Sequence, residues 1–215
     1  RLHARCLVLD AGEPWIAISV VDSCMLPREL LAEAKRLARE RTGIAEDRML
    51  ISATHTHSAP AAMGGLGCAV DPEYPKLLPG RIAEGIARAQ ANLAPAKAGW
   101  AVIDDWKHTH NRRWIYRPDK MLTDPFGNRT VRANMHPGYQ NPDFIGPAGP
   151  VDAGLSLLAV RSRGGKPLAL LANYSMHYFG SGLLSADYYG AFCRQFAKAA
   201  GADASFVPMM SQGTS

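Results

Sequence analysis

The chain has 215 residues, with 24 lysine and arginine residues against 19 aspartate and glutamate residues and a net charge of +5. Its content of 47% hydrophobic and 20% charged residues is that of an ordinary globular protein. This composition excludes a disordered, collagen-like or disulfide-scaffold chain. The positive charge is spread along the sequence without a lysine or arginine block, so we expect no nucleic-acid partner. The four cysteines form no CxxC pair, so they indicate neither a redox motif nor a cysteine zinc site.

The first half of the chain predicts strands alternating with helices. Residues 2–10 and 15–21 are predicted strands, and the second is apolar on both faces, as in a covered central strand. Pro27 begins a helix with apolar residues at helical spacing, which ends at Thr42 and Gly43. A buried strand follows at residues 49–53. Strand, helix and strand over this span predict a βαβ unit with parallel strands.

The second half continues the pattern, with predicted helices at 78–93 and 188–200, strands at 98–103 and 204–210, and a hairpin formed by 155–161 and 167–175. We therefore expect an α/β fold class, with mixed β-sheets, flanking helices and site loops at strand carboxyl ends. The prediction is a single domain over residues 1–215, incomplete at both ends. The uncharged stretch 167–186 is long enough to cross a membrane. Its polar and glycine breaks favour a buried strand with a site loop, so we expect no transmembrane segment.

Residues 104–150 are rich in proline, glycine, asparagine and arginine, without a sustained period, and are predicted to form a long loop or insertion within the domain. Loops of this length usually line a site or form a lid, although a solvated insertion is the alternative. Four aromatic side chains in it could supply an apolar groove or pack the loop down: Trp106, Trp114, Phe126 and Phe144.

The sharpest chemical feature is Thr54-His55-Thr56-His57-Ser58, directly after the strand at 49–53. Loops beyond the carboxyl ends of parallel strands are where α/β folds place their sites. In an extended segment residues i and i+2 point the same way, so His55 and His57 are expected to face one pocket. Two imidazoles on one face suit zinc, and the alternative is two polar loop residues that cap the next segment.

Other candidates follow predicted strands. His177 ends the strand at 167–175 and is either a core residue or a partner of His55 at the same sheet edge. Asp22 and Asp187 are candidates for this edge or for capping the helices that follow them. A second HxH, His108 to His110, is expected to be exposed, with Arg112 or Arg113 available to orient an anionic or carbonyl group. No GxSxG, P-loop, HExxH or GxGxxG motif is present.

Four segments occur in the order expected of one known family: ATHTHSAP at 53–60, HNRRW at 110–114, LLANYSMHYFGSGLLSADYYG at 170–190 and FVPMMSQGTS at 206–215. They resemble the amino-terminal catalytic domain of neutral/alkaline, non-lysosomal ceramidases. They are more similar still to uncharacterised bacterial proteins that share this domain. THTHS is the specific part of the resemblance, and the other segments support it.

The resemblance implies a zinc-dependent hydrolase that cleaves an N-acyl amide bond with a metal-activated water. His55 and His177 would bind one Zn²⁺ ion, with the family's glutamate and tyrosine ligands outside this chain. His57 and Arg112 would be the catalytic residues that face the substrate. The implied partner is a small-molecule or lipid N-acyl substrate, and a secreted or periplasmic location is slightly favoured. The oligomeric state is left open.

Two alternatives stay open beside this interpretation. The segment Asn111-Arg112-Arg113-Trp114 replaces the NRSP sequence typical of ceramidases, so the substrate could be another ester or a polar N-acyl compound. The second alternative is a non-catalytic domain of the same fold. The presence of both His55 and His177 argues against it.

Overall fold

The computed structural model describes residues 1–65 and 67–214. Leu66 and Ser215, the last residue of the fourth family-like segment, lie outside the described residues. Three α-helices are described: α1 (Arg28–Thr42), α2 (Tyr74–Ala91) and α3 (Asp187–Ala199). The described strands are β1 (Ala4–Leu9), β2 (Ile16–Val21), β3 (Met49–Ala53), β4 (Ala96–Asp104), β5 (Arg113–Tyr116), β6 (Ala133–Met135), β7 (Phe144–Pro147), β8 (Gly154–Ser162), β9 (Pro167–Tyr174) and β10 (Val207–Gln212).

The first sheet has the order β1-β2-β3. β1 pairs antiparallel with β2, and β2 pairs parallel with β3, which confirms the predicted βαβ unit. Helix α1 begins after Pro27 and ends at Gly43, whose φ of 76° lies in the left-handed region. The N–H of Gly43 donates to the Arg39 carbonyl at 2.8 Å. Glycine adopts this conformation without steric penalty, so it ends the helix where the sequence predicts.

The second sheet has the order β10-β9-β8-β4. β8 and β9 form the predicted antiparallel hairpin, and β10 pairs parallel with β9. The strands preceding His55 and His177, β3 and β9, therefore belong to different sheets. The expectation that both histidines end strands of one sheet is wrong, because β8 and β10 occupy both edges of β9 and leave none for β3.

The elements stack in layers. Helices α1 and α2 cover one face of the first sheet, against Cys6 and Val8 of β1. Leu7 lies between these two residues, so its side chain points to the opposite face of the sheet. There it packs with Val160 and Met209 of the second sheet. Helix α3 covers the other face of that sheet through a second apolar cluster. The two sheets are therefore packed face to face between helices, and this brings their loops together.

Residues 104–150 are not a structureless loop. β5 pairs antiparallel with both β6 and β7 in a small third sheet. Phe144 stacks on Tyr116 with ring centroids 4.2 Å apart. The strands are only 3 or 4 residues long, so none presents enough alternation to be recognised from sequence.

Two carboxylates anchor the flanks of this segment to the end of β9. Tyr174 Oη donates to Asp105 Oδ2 at 2.9 Å, and Ser175 Oγ donates to Asp152 Oδ2 at 2.8 Å. A hydrogen bond from His108, joined by that from Tyr174, lowers the pKa of Asp105. The bond from Ser175, joined by the Gly154 N–H, lowers the pKa of Asp152. Both carboxylates are therefore stabilised in their charged form.

We expect the segment to loosen in acid. Because both folded-state pKa values lie below the ordinary value of about 3.9, the stabilisation is present above that pH and is lost as pH falls through the lowered values. Hydrogen exchange across residues 105–152, corrected for intrinsic rates, should accelerate below about pH 4. Asp152→Asn should already show faster exchange at pH 6, whereas Asp119→Asn, whose carboxylate pairs with Arg117 within the segment, should not. Equal exchange in both variants would contradict the anchoring role.

The stretch 167–186 forms β9 and an irregular loop, as predicted, and contains no helix before α3. None of the helices in the described ranges is long and apolar enough to cross a membrane.

Candidate metal centre

Three loops converge on the histidine cluster. They follow β2, β3 and β9, and they carry Cys24, His55 with His57, and His177 with Tyr178. β2 and β3 are parallel, so their carboxyl ends lie side by side. The face-to-face packing of the two sheets brings the loop after β9 to the same place.

His55 and His57 do face each other, but the backbone differs from the expected extended segment. The φ angle of His55 is 72°, in the left-handed region. The two Nε2 atoms are 3.1 Å apart, and the ring centroids are 4.7 Å apart. His55 Nδ1 lies 3.0 Å from the Cys24 carbonyl oxygen. A backbone acceptor there fixes the proton on Nδ1 and leaves the Nε2 lone pair directed into the cluster.

The left-handed backbone at His55 gives a stability prediction. A residue with a Cβ in this region carries about 1–2 kcal/mol of steric strain, which glycine avoids. His55→Gly should therefore be about 1 kcal/mol more stable to urea than His55→Ala, although both lack the imidazole. At His57, which is not among the residues with a positive φ, the same pair of substitutions should show the reverse order. Equal stability of the two His55 variants would contradict the strained geometry.

His177 joins the cluster from the second sheet. Its ring centroid is 4.9 Å from that of His55 and 5.5 Å from that of His57. Tyr178 stacks on His57 with centroids 3.7 Å apart and planes inclined by 10°. The structure thus brings together the three histidines that the sequence singles out, and it adds an aromatic wall beside His57.

Thr56 and Ser58 of THTHS hold the two histidine loops together. Thr56 is fully buried, and its Oγ1 donates to the Ser185 carbonyl at 2.7 Å. Ser58 Oγ donates to the Ser181 carbonyl at 3.3 Å, and the Ser58 carbonyl accepts the Ser185 N–H at 2.9 Å. These two hydroxyl residues therefore bind the loop that carries His177, while the histidines of the motif face the cluster.

Asp187 was a candidate for the sheet edge or for capping the helix that follows it. Its carboxylate does accept the Tyr188 N–H at 2.6 Å in the first turn of α3, but it has two further partners. Its carboxylate accepts the Phe179 and Gly180 N–H groups at 3.1 and 2.9 Å. It is therefore an anchor for the loop that follows His177.

Asp22 is neither at the cluster nor a helix cap. Its buried carboxylate accepts both the Arg5 guanidinium and the His3 N–H at 2.9 Å. Its capping prediction is wrong, since α1 begins without a side-chain cap. The ion pair with Arg5 takes the carboxylate instead.

The charge of Arg112 acts on the cluster, whereas the second HxH does not join it. The Arg112 guanidinium is near enough to His57 and His177 to contribute to lowering both pKa values. His108 is exposed, as predicted, and its Nδ1 lies 2.8 Å from Asp105 Oδ2. His110 instead lines a pocket of about 330 Å³ with aromatic walls.

The electrostatic environment favours neutral imidazoles. Burial is the largest cause of the lowered pKa of His57, followed by the charge of His55. Burial and then Arg112 lower the pKa of His177 to about 4. Histidine binds a metal through its neutral form, so these rings are ready to act as ligands at neutral pH.

The donor set fits a zinc ion. Cys24, His55 and His57 each offer one ligand atom, and these atoms lie within 4.8 Å of one another. Nitrogen and sulfur are the donors that zinc favours. His177 adjoins this group through its ring contacts rather than as a member of it. Sequence reasoning missed Cys24 and Tyr178. Cys24 had a signal, because it lies three residues after the end of β2, the strand parallel to β3.

The arrangement defines a ceramidase-like fold with a histidine cluster at its loop end. The chain is similar to a structure described as ceramidase complexed with C2, with a TM-score of 0.68, 20% identity, and coverage of 97% of this chain and 31% of that one. It is also similar to the neutral ceramidase from Pseudomonas aeruginosa, with a TM-score of 0.68, 19% identity, and coverage of 97% and 32%. No protein-family profile and no curated protein sequence matches the chain.

These comparisons establish likeness of fold. The chain spans about a third of the length of each ceramidase that it matches. At about 20% identity the likeness concerns the architecture, and the chemistry depends on the residues of this chain.

Proposed function

We propose that the chain carries the metal-binding part of a zinc-dependent amide hydrolase of the neutral ceramidase type. In this proposal His55 and His177 bind the ion, and His57 and Arg112 act on the substrate. The fold likeness supports the family, and the positions of the family-like segments support the roles. The resemblance also favours an N-acyl substrate and a secreted or periplasmic location, and both are part of this proposal.

One observation carries the proposal. Residues 55, 57 and 177 come from loops after strands of two different sheets, yet their ring centroids lie within 5.5 Å of one another. Imidazoles seldom gather in this way for packing alone, because each brings polar nitrogens that need partners. The hydrogen bond from His55 Nδ1 to the Cys24 carbonyl also orients the ring as in metal sites.

The chain's own groups have distinct tasks in this mechanism. A zinc ion bound here would supply Lewis acidity toward the amide carbonyl and an activated water. His57, held by its stacking on Tyr178, accepts and returns a proton near the scissile amide through Nε2. Arg112 donates hydrogen bonds that orient a carbonyl or anionic group of the substrate.

Exposed apolar side chains and a pocket with aromatic walls lie in the segments that carry His177 and Arg112. Phe179, Leu183 and Leu184, in the loop after His177, are exposed. Trp106 and Trp114 line the pocket of about 330 Å³, together with Asn111, the residue before Arg112. Such surfaces suit an acyl chain, and they support an N-acyl substrate with an apolar tail.

Trp114 gives a test of this assignment. Its Nε1–H donates to the Asn111 carbonyl at 3.2 Å, and its ring lines the pocket. Trp114→Ala should raise KM for a long-chain N-acyl substrate about tenfold, since it removes one to two kcal/mol of apolar contact. KM for a short-chain analogue should change little. Phe126→Ala is the matched control, because Phe126 is exposed outside the pocket. Equal effects on both chain lengths would contradict an acyl-binding role.

The proposed function is tested by turnover in the longest form of the protein that can be purified. Ceramide, a short polar N-acyl amine and an ester of matched acyl length should be assayed after chelation and after zinc is restored. We expect zinc-dependent cleavage of the amides. Zinc-dependent cleavage of the ester alone would favour the alternative metal hydrolase. Metal binding without turnover of any substrate would contradict the proposal and favour a non-catalytic domain.

A further inference from the structure

Cys24 lies at the histidine cluster although its sequence context indicates no metal site. Its side chain is half-buried, and its Sγ is 3.8 Å from Nδ1 of His55, the ring nitrogen that also lies 3.0 Å from the Cys24 carbonyl oxygen. One ligand atom each from Cys24, His55 and His57 lies within 4.8 Å of the others. The thiol is therefore beside the ring that the proposed zinc would bind.

We propose that the Cys24 thiolate is itself a ligand of the metal held by His55. This inference rests on the proposed function and goes beyond it, because the ceramidase resemblance assigns only oxygen and nitrogen ligands. On binding, the S–H bond is replaced by a sulfur–metal bond and one proton is released to solvent. The centre of this chain would thus have mixed nitrogen and sulfur donors.

The backbone around Cys24 is held in place for this role. The His55 N–H donates to the Ser23 carbonyl at 2.9 Å, which ties the loop after β2 to the loop after β3. Tyr74 Oη donates to the Asp22 carbonyl at 2.9 Å, and Ser23 Oγ donates to the Met25 carbonyl at 3.2 Å. Because these bonds fix the main chain on either side, the thiol is positioned before a metal arrives.

The distances are compatible with a shared ion. With zinc bonds of about 2.3 Å to sulfur and about 2.0–2.1 Å to nitrogen, a tetrahedral site separates sulfur from nitrogen by about 3.5 Å. The candidate ligand atoms of Cys24 and His55 lie within 4.8 Å of each other. Coordination would therefore draw the donor atoms together by about an ångström, within the reach of side-chain rotation.

The charge balance of the site is an independent reason to assign Cys24 as a ligand. Of the ligands proposed in this chain, Cys24, His55 and His177, only Cys24 can become an anion, because histidine binds metal as a neutral ligand. The Arg112 guanidinium, which helps to lower the pKa of His177, adds a further positive charge near the site. A thiolate offsets part of the charge of a divalent cation, and it selects Zn²⁺ over the hard ions Mg²⁺ and Ca²⁺.

X-ray absorption at the zinc edge tests this directly on the longest purifiable form of the protein, loaded with Zn²⁺ alone. We expect one sulfur scatterer at about 2.3 Å, absent from Cys24→Ser and kept in Cys68→Ser, whose thiol is exposed. Co²⁺ substitution should give a thiolate-to-metal charge-transfer band with the same dependence on variant. Metal bound by nitrogen and oxygen alone would overturn the inference while leaving the histidine site intact.

A second measurement on the parental chain guards against a misfolded variant. Zn²⁺ should protect Cys24 from alkylation, read peptide by peptide in the mass spectrometer, while Cys68 stays reactive. Protection of Cys68 alone, or of neither thiol in a zinc-loaded chain, would overturn the inference. Failure of the longest purifiable form of the protein to bind Zn²⁺ at all would overturn the proposed function as well.

Discussion

Asp22→Ala should destabilise the protein by roughly 3–5 kcal/mol, the effect of removing one partner from a buried ion pair. Its carboxylate is fully buried and Arg5 retains only 13% side-chain exposure. The substitution leaves the guanidinium without its partner and the His3 N–H without its acceptor. Burial raises the pKa of Asp22, while Arg5 opposes that shift, so the ion pair already carries a desolvation penalty.

Urea denaturation measures this loss. Glu33→Ala is the matched control, because it breaks an exposed ion pair with Arg36 and should change the free energy of unfolding by less than about 1 kcal/mol. The double variant Arg5→Met/Asp22→Leu should recover part of the loss, since it removes both charges. A loss in Asp22→Ala no larger than that in Glu33→Ala would contradict the account of this pair.

His57→Ala should lower kcat for amide hydrolysis by about 10²–10⁴-fold, the usual contribution of a general acid–base group. The ring stacks on Tyr178 and its Nε2 lies 3.1 Å from Nε2 of His55. Its removal takes away the proton-transfer group but leaves the proposed ligands His55 and His177. We therefore expect the metal content to stay the same.

Two measurements separate the roles open to His57. Steady-state kinetics report the loss of turnover, and metal analysis of the same sample reports whether the ion is retained. His108→Ala, from the exposed second HxH and outside the pocket lined by Trp114, should leave both unchanged. Loss of the metal in His57→Ala would make this residue a ligand instead, and unchanged kcat would exclude it from catalysis.

Much of the fold was predictable because local patterns dominate there. The βαβ unit follows from two apolar strands around an amphipathic helix ended by Gly43, and the β8–β9 hairpin follows from the turn at residues 163–166. The division into two sheets was not predictable, because pairing between strands distant in sequence leaves no local signal. The short strands of the third sheet lack the length that a period requires.

The histidine cluster was predictable in membership but not in geometry. The position of His55 and His57 after β3 indicated a shared pocket, and the structure brings the rings together. The backbone that brings the rings together differs from the expected extended segment at one sheet edge. His55 has a left-handed backbone, and His177 follows a strand of the second sheet. Cys24 was missed since cysteine spacing was read for CxxC pairs, whereas this thiol meets histidines that are distant in sequence.

Metal content by mass spectrometry tests the central claim most directly. The longest purifiable form of the protein should contain about one zinc per chain. His55→Ala and His177→Ala should lose it, and His108→Ala, from the exposed second HxH, should retain it. A chain without metal, or with metal that neither substitution removes, would contradict the zinc centre and with it the proposed chemistry.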